Sequence, residues 1–229
     1  MNIDRPRLID RVKHFYARLS AGDRLGEAFY AVWMAVVSIG LINAGQQITP
    51  ADVVNVVVIC LGVNAVWGVI DGVTVMYSKV IERAKNDRIV WDLRSGESSG
   101  TVSAHNHLDG TIFSALPPVG QAKIIAILAD GELPPDPVKN RYGPRRDDWL
   151  IVLAIVGLDI GLALPIVVPL LLVSDIHMAV YISRLVATIA FAAIGWGYGK
   201  NLNRQPWLAM LGLGALGFAV FTAAYEAGW

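Results

Sequence analysis

The sequence predicts an all-α integral membrane protein with five transmembrane helices. Five apolar stretches are each about 20 residues long, the length an α-helix needs to cross roughly 30 Å of hydrocarbon. The chain as a whole is 55% hydrophobic with a mean hydropathy of +0.51, which is too apolar for an ordinary soluble domain. Helices satisfy their backbone polar groups internally and can therefore lie in lipid. The predicted spans are residues 26–44, 53–77, 149–173, 178–198 and 207–227.

Lys and Arg residues orient these spans, because they gather in alternate loops. Six precede the first span, ten lie between the second and the third, and segments 45–52 and 174–177 contain none. The positive-inside rule then predicts a cytoplasmic N-terminus, a cytoplasmic insert at 78–148 and a C-terminus on the outside.

Residues 1–25 precede the first span and carry apolar side chains at helical spacing among basic ones. This pattern predicts an amphipathic helix on the cytoplasmic membrane surface. A soluble helix packed on the insert is the alternative. The segment lacks an apolar signal core, so the first span is expected to be an uncleaved anchor.

Composition also limits the kinds of binding partner that the protein can have. Equal numbers of acidic and basic residues give a net charge of zero, which argues against nucleic-acid binding. The single cysteine, Cys60, cannot form a disulfide within the chain. The lipid bilayer is the partner that the apolar spans require.

The insert is expected to contain little regular structure. The second helix should continue one or two turns past its span, and residues 95–110 read as a polar loop. A short amphipathic helix is predicted at 117–129 and an extended linker at 134–144. His105, His107 and Asp109 could bind a metal only if their segment were extended; otherwise they are solvated.

Acidic residues within the spans are the first functional candidates, because charges are costly in a membrane. Glu27 and Asp71 fall at similar depth, so helix packing could bring them together to hold a divalent cation or to shuttle protons. Glu27 could instead cap its helix. Asn64 and Gly68 share the face of Asp71, and this face is expected to be buried in protein.

Two further charges lie in later spans, Asp159 near the midplane and Arg184 nearer the outer end. A buried Asp159–Arg184 ion pair would hold both in place, whereas Arg184 could alternatively snorkel outward. Met34 and Met76 offer soft thioether ligands for a transition metal, although packing is their commoner role.

Residues 212–217 match the pattern GxGxxG. A dinucleotide site would need a preceding strand, so within an apolar span the glycines predict a helix-packing surface. Neither a nucleophile–base set nor HExxH nor CxxC is present in the sequence, which predicts that the protein is not an enzyme.

The arrangement resembles the vacuolar iron transporter family and its bacterial relatives. The likeness lies in LGEAFYAVWM at 25–34, in NAVWGVIDG at 64–72 with MYS at 76–78, in PIVVPLLL at 165–172, and in the small-residue last two spans. Two features depart from the family: the insert has only scattered acids instead of a glutamate-rich helix, and Val75-Met76-Tyr77 stands where Gly-Glu-Tyr is usual.

The resemblance implies a homodimer in a bacterial cytoplasmic membrane, with spans one and two at the interface. It also implies proton-coupled transport of Fe²⁺ or Mn²⁺ out of the cytoplasm, with the metal as cargo and no permanently bound cofactor. Glu27 and Asp71 would carry the ion, assisted by Met34 and Met76. The alternative is a non-transporting structural or regulatory protein on the same fold.

Overall fold

A computed structural model describes residues 20–40, 49–109, 111–137, 139 and 142–227. The predicted helix at 1–25 lies almost wholly outside these residues. Within them the protein is helical and contains no strand. The helices are α1 (Ala21–Ile39), α2 (Pro50–Arg94), α3 (Ser98–Leu108), a 3₁₀ turn (Ile112–Ala115), α4 (Pro118–Ala129), α5 (Trp149–Leu172), α6 (Ile176–Asn201) and α7 (Pro206–Ala227).

The chain divides into two compact units. Met1–Val75 and Arg146–Trp229 form the first, here called the membrane unit, and Met76–Arg145 forms the second, the insert unit. The long helix α2 contributes residues to both.

Four helices are long enough and apolar enough to cross a membrane: α2, α5, α6 and α7. This confirms an integral membrane protein. The first predicted span is less clear-cut, because α1 carries Asp23, Arg24 and Glu27 in its first two turns and the end of that span lies outside the described residues. Five spans and the orientation of the termini therefore stay predictions.

Helix α1 begins five residues earlier than its predicted span, and its cap explains why. The Ser20 hydroxyl accepts a hydrogen bond from the Asp23 amide at 3.0 Å, and the Asp23 carboxylate accepts one from the Ser20 amide at 3.2 Å. This reciprocal capping box satisfies two free amides of the first turn. Glu27 lies in the second turn and is therefore not the cap.

Despite its charged start, α1 packs at the centre of the membrane unit. Val32, Ala35, Val36 and Ile39 are fully buried along one face. They belong to a single apolar core with side chains of α5, α6 and α7, including Ile166, Phe191 and Phe221. Other large apolar side chains of these helices, among them Leu172, Ile189 and Leu211, are exposed, as lipid-facing surfaces are.

Glycines bring α6 and α7 into close contact. A methyl group built on Gly195 would overlap the carbonyl oxygen of Ala209, and one built on Gly217 would overlap the ring of Phe191. Small residues at such positions let helix backbones approach in a membrane. The GxGxxG segment is thus a packing surface at Gly214 and Gly217, while Gly212 faces open space in the part of the chain that the structure describes.

The insert unit is more ordered than the sequence predicted. Helix α2 continues to Arg94, about five turns past residue 77. Ile89 packs with Ala104, Leu108 and Ile125 in a small core of its own. The predicted loop at 95–110 was wrong, because α3 forms there.

The α3 helix forms because Ala104 and Leu108, one turn apart, can both be buried on one side. Gly96, with φ of +79°, turns the chain before it. His105 and His107 lie on different sides of this helix, which removes the extended geometry their metal site required.

The predicted helix at 117–129 is confirmed as α4, which starts at Pro118. The guanidinium of Arg94 donates hydrogen bonds to the carbonyl oxygens of Leu128 at 3.0 Å and Glu132 at 2.8 Å, which ties the end of α2 to the end of α4. An extended linker was predicted at 134–144. The structure describes part of this range, and residues 132–137 and 142–145 contain no helix, as expected.

The α6–α7 contact predicts a steric response to Gly195→Ala. Its methyl group meets the backbone of Ala209, which cannot move aside as a flexible side chain could. We expect the overlap to lower the free energy of unfolding by roughly 1–3 kcal/mol. This exceeds the ~1 kcal/mol that alanine gains over glycine in a helix. The measurement is thermal unfolding in detergent. Gly212→Ala on the facing helix is the matched control and should not lower the unfolding temperature; equal behaviour of the two variants would contradict this packing.

Candidate functional site

A cavity of about 360 Å³ opens inside the membrane unit between α1, α2 and α5. Its lining combines aromatic, amide, thioether and carboxylate side chains. They are Tyr30, Ala31, Met34, Asn64, Trp67, Asp71 and Asp159. Tyr30 and Trp67 are exposed at its rim, whereas Asn64 and Asp159 are almost completely buried.

Glu27 and Asp71 meet at this cavity, as their similar depth predicted. Their carboxyl groups lie close enough to interact electrostatically across α1 and α2. Asp71 lines the cavity, whereas Glu27 is not one of its lining residues. A proton between two neighbouring carboxyl groups relieves their mutual repulsion, because two ionised carboxylates can only accept hydrogen bonds.

Asp159 is the third acid of this group. It projects from α5 with 3% of its surface exposed, and it interacts electrostatically with both Glu27 and Asp71. The sequence had predicted an ion pair with Arg184 for this residue instead.

Gly68 makes the position of Asp159 possible. A methyl group built on Gly68 would lie 2.8 Å from Asp159 Oδ2 and 2.8 Å from the Cα atom of Val156. One turn later, a methyl on Gly72 would lie 2.7 Å from the Cα atom of Val152. The small-residue face of α2 is therefore buried against α5 of the same chain.

Three buried oxygen atoms at the site lack a hydrogen-bond partner among the described residues: Glu27 Oε2, Asn64 Oδ1 and Asp159 Oδ1. Asn64 is held in place by its amide nitrogen, which donates to the carbonyl oxygen of Cys60 at 2.9 Å. Its amide oxygen is thereby left as an acceptor. Buried acceptors without a donor are costly, so protons or a cation would stabilise this site.

In the conformation described, the acids do not form a ready-made metal centre. Among the described residues, no three His, Cys, Asp or Glu side chains lie close enough together to hold one ion. The cavity lining holds two acids, Asp71 and Asp159, and the amide of Asn64.

The predicted Asp159–Arg184 ion pair does not form within the described chain. Arg184 donates from Nη1 to Thr222 Oγ1 at 3.1 Å and lies over the rings of Tyr181 and Phe218. Asp159 instead reaches Gly68 on α2. The two side chains therefore leave their helices toward different neighbours. The prediction matched opposite charges on consecutive spans and had no information on which way each faced.

The two methionines differ in position. Met34 lines the cavity and is partly buried. Met76 is completely buried, and it does not line this cavity in the described structure. Tyr30 and Trp67 were not predicted as site residues, since exposed aromatic residues are common in membrane helices.

Comparisons with protein-family models, with curated proteins and with solved structures found no match to this chain.

The carboxylate cluster predicts that Asp159→Asn is tolerated by the fold. The amide removes one negative charge from beside two acids and gains a donor that the neighbouring oxygens lack. We expect an unfolding temperature in detergent equal to or above that of the unchanged protein. A buried ion pair with Arg184 would instead predict a loss of about 3–5 kcal/mol, because one charge would be left unpaired. Such a loss would contradict the arrangement described.

Proposed function

We propose that the protein transports a divalent transition-metal cation, Fe²⁺ or Mn²⁺, in exchange for protons. Asp71 is the principal ion-binding residue, with Glu27, Asp159 and Met34 as partners. The observation that carries this proposal is the set of buried acceptor oxygens without donors around a cavity between apolar helices. Intramembrane acids in such a setting typically mark ion or proton pathways.

The ligand types favour a first-row divalent metal. Carboxylate and amide oxygens suit hard cations, and the thioether of Met34 adds a softer ligand that Mg²⁺ and Ca²⁺ do not use. Water would complete the coordination in a cavity of this size. The family resemblance of the first two spans points to the same cargo.

The charge of the cluster supports the coupling to protons. If Glu27 and Asp71 share one proton, the three carboxyl groups carry a net charge of −2. A divalent cation would neutralise that charge in a region of low dielectric constant, where uncompensated charge is most costly. Displacing the shared proton when the ion binds would link the two movements, because ligand oxygens must be deprotonated to coordinate a metal.

The alternative is a structural or regulatory membrane protein on the same fold, without transport. The absence of three converging acidic, histidine or cysteine ligands among the described residues favours it. Under transport, closure of α1, α2 and α5 on the ion would have to complete the site. An enzymatic function has no comparable support from the sequence.

Asp71→Asn distinguishes these functions. The substitution keeps shape and polarity but removes the charge and the shared proton, so transport predicts a fall in Fe²⁺ or Mn²⁺ flux of about tenfold or more. Flux is measured in proteoliposomes with an imposed pH gradient. Asp52→Asn is the matched control, since Asp52 is an exposed residue of the same helix, bonded to Thr49 at its start.

Normal insertion and folding of Asp71→Asn, with flux at the unchanged rate, would exclude Asp71 as the ion ligand. It would favour the structural or regulatory role. A loss of flux in Asp52→Asn as well would show that the assay reports general damage to α2.

We also propose that two copies associate through α2. The small-residue face of α2 packs on α5, so it is occupied within the chain. A different face of α2 remains apolar and exposed, with Val58, Val66 and Val69 at helical spacing. Gly62 lies among them, and a methyl group built on it would have no described atom within 4 Å, which leaves room for a second backbone.

Cysteine cross-linking tests this interface after Cys60→Ala removes the native thiol. Single cysteines at Val66 or Val69 should trap dimers in native membranes, because the two copies of α2 would face each other there. Cysteines at Leu208 or Leu211, equally exposed on α7, are the controls. Dimers trapped from α7 but not from α2 would contradict the proposal.

A further inference from the structure

A second, smaller cavity lies between the first half of α6 and the last turns of α7. Its volume is about 70 Å³. It is lined by His177, Val180, Tyr181, Arg184, Phe221 and Tyr225. These residues share no member with the carboxylate cavity.

Arg184 is the charged group of this pocket. Its guanidinium lies 5.1 Å from the ring centre of Tyr181 and 4.7 Å from that of Phe218, which orients it by cation–π contact. Among the described residues, its Nη1 donates to Thr222, whereas its buried Nε has no acceptor. A guanidinium has five N–H donors in a fixed plane, so most of its capacity is unused.

A guanidinium at an apolar surface is stabilised when an oxyanion occupies its donors, and phosphate fits the planar arrangement of those donors. Further hydrogen-bonding groups stand beside the pocket. His177 Nδ1 and the Tyr225 hydroxyl are 2.9 Å apart and both residues line it. The pocket thus presents a cation and polar groups around a small space.

Carboxylates lie at the same end of the helices, beyond the arginine. Asp175 and Glu226 both act electrostatically on Tyr225. Asp175 caps α6 by accepting a hydrogen bond from the Met178 amide at 2.8 Å. Asp175 precedes Arg184 by nine residues, which is about 14 Å along the helix axis. The positive group therefore lies deeper in the apolar helix pair and the negative groups lie at its end.

From this order of charges we infer that the pocket binds the headgroup of a phosphoethanolamine lipid. Proceeding outward from the acyl chains, such a lipid presents a phosphate and then a primary ammonium. Its phosphate would occupy the donors of Arg184, and its ammonium would face Asp175 and Glu226. Tyr181 is exposed, so the pocket opens sideways to the surface that faces lipid. The site is independent of the proposed transport function.

Lipid titration of the purified, delipidated full chain in mild detergent tests the inference, with native mass spectrometry and thermal unfolding as readouts. Phosphatidylethanolamine should bind and stabilise more than phosphatidylglycerol, whose net negative charge would meet the two carboxylates. Inorganic phosphate separates a lipid site from a free-phosphate site. Equal protection by inorganic phosphate, or equal binding of the two lipids, would overturn the inference.

Substitutions locate the site. Arg184→Gln should weaken phosphatidylethanolamine binding about tenfold or more, because it removes the charge-assisted bonds to phosphate. Arg184→Lys keeps the charge and should lose less, which guards against a folding defect in the first variant. Lys200→Gln removes one cation from the other end of α6 and should bind lipid normally. Unchanged binding by Arg184→Gln would overturn the inference.

The carboxylates are tested separately. Asp175→Asn combined with Glu226→Gln should reduce the preference for phosphatidylethanolamine over phosphatidylglycerol while total lipid binding persists. Asparagine is itself a good helix cap, so the fold of α6 is preserved. An unchanged lipid preference in this double variant would contradict the proposed placement of the ammonium.

Discussion

The close approach of α2 and α5 is the contact on which the carboxylate site depends. At Gly68 and Gly72 the backbone of α5 comes so near that a single methyl group would collide with Val156 or Val152. Only this spacing allows the short side chain of Asp159 to reach the region of Glu27 and Asp71. Asn64 lies on the same face of α2, one turn before Gly68, and it lines the cavity with an amide oxygen that has no partner among the described residues. Helix packing and site chemistry are set by the same residues.

The carboxylate site destabilises the membrane unit that contains it. Like charges and acceptors without donors disfavour burial, and each carboxylate within lipid costs roughly 2.5–3.5 kcal/mol on insertion scales. The rest of the membrane unit compensates through ordinary packing. The apolar face of α1 is fully buried against α5, α6 and α7, and the glycine contacts between α6 and α7 add close backbone packing. Unfavourable local interactions of this kind, compensated by well-packed surroundings, are typical of functional sites.

Sequence reasoning succeeded where a single helix determines the outcome. Long apolar runs predicted α2, α5, α6 and α7, and equal depth in two neighbouring helices predicted that Glu27 and Asp71 meet. It failed where the rotation of a helix about its own axis determines which neighbour a side chain faces. Asp159 and Arg184 were matched by charge, yet one faces α2 and the other faces α7. Helix α3 was missed because its composition is polar and only Ala104 and Leu108 mark its buried side.

The separation of Asp159 from Arg184 has a chemical meaning. Paired, the two would neutralise each other and leave neither able to bind a ligand. Apart, the carboxylate joins two other acids at a cavity suited to cations, and the guanidinium keeps unused donors beside a pocket suited to an oxyanion. Under the two proposals, each charge gains its compensation from outside the chain. A buried charge without an internal partner is most simply explained by an external one, since burial alone would select against it.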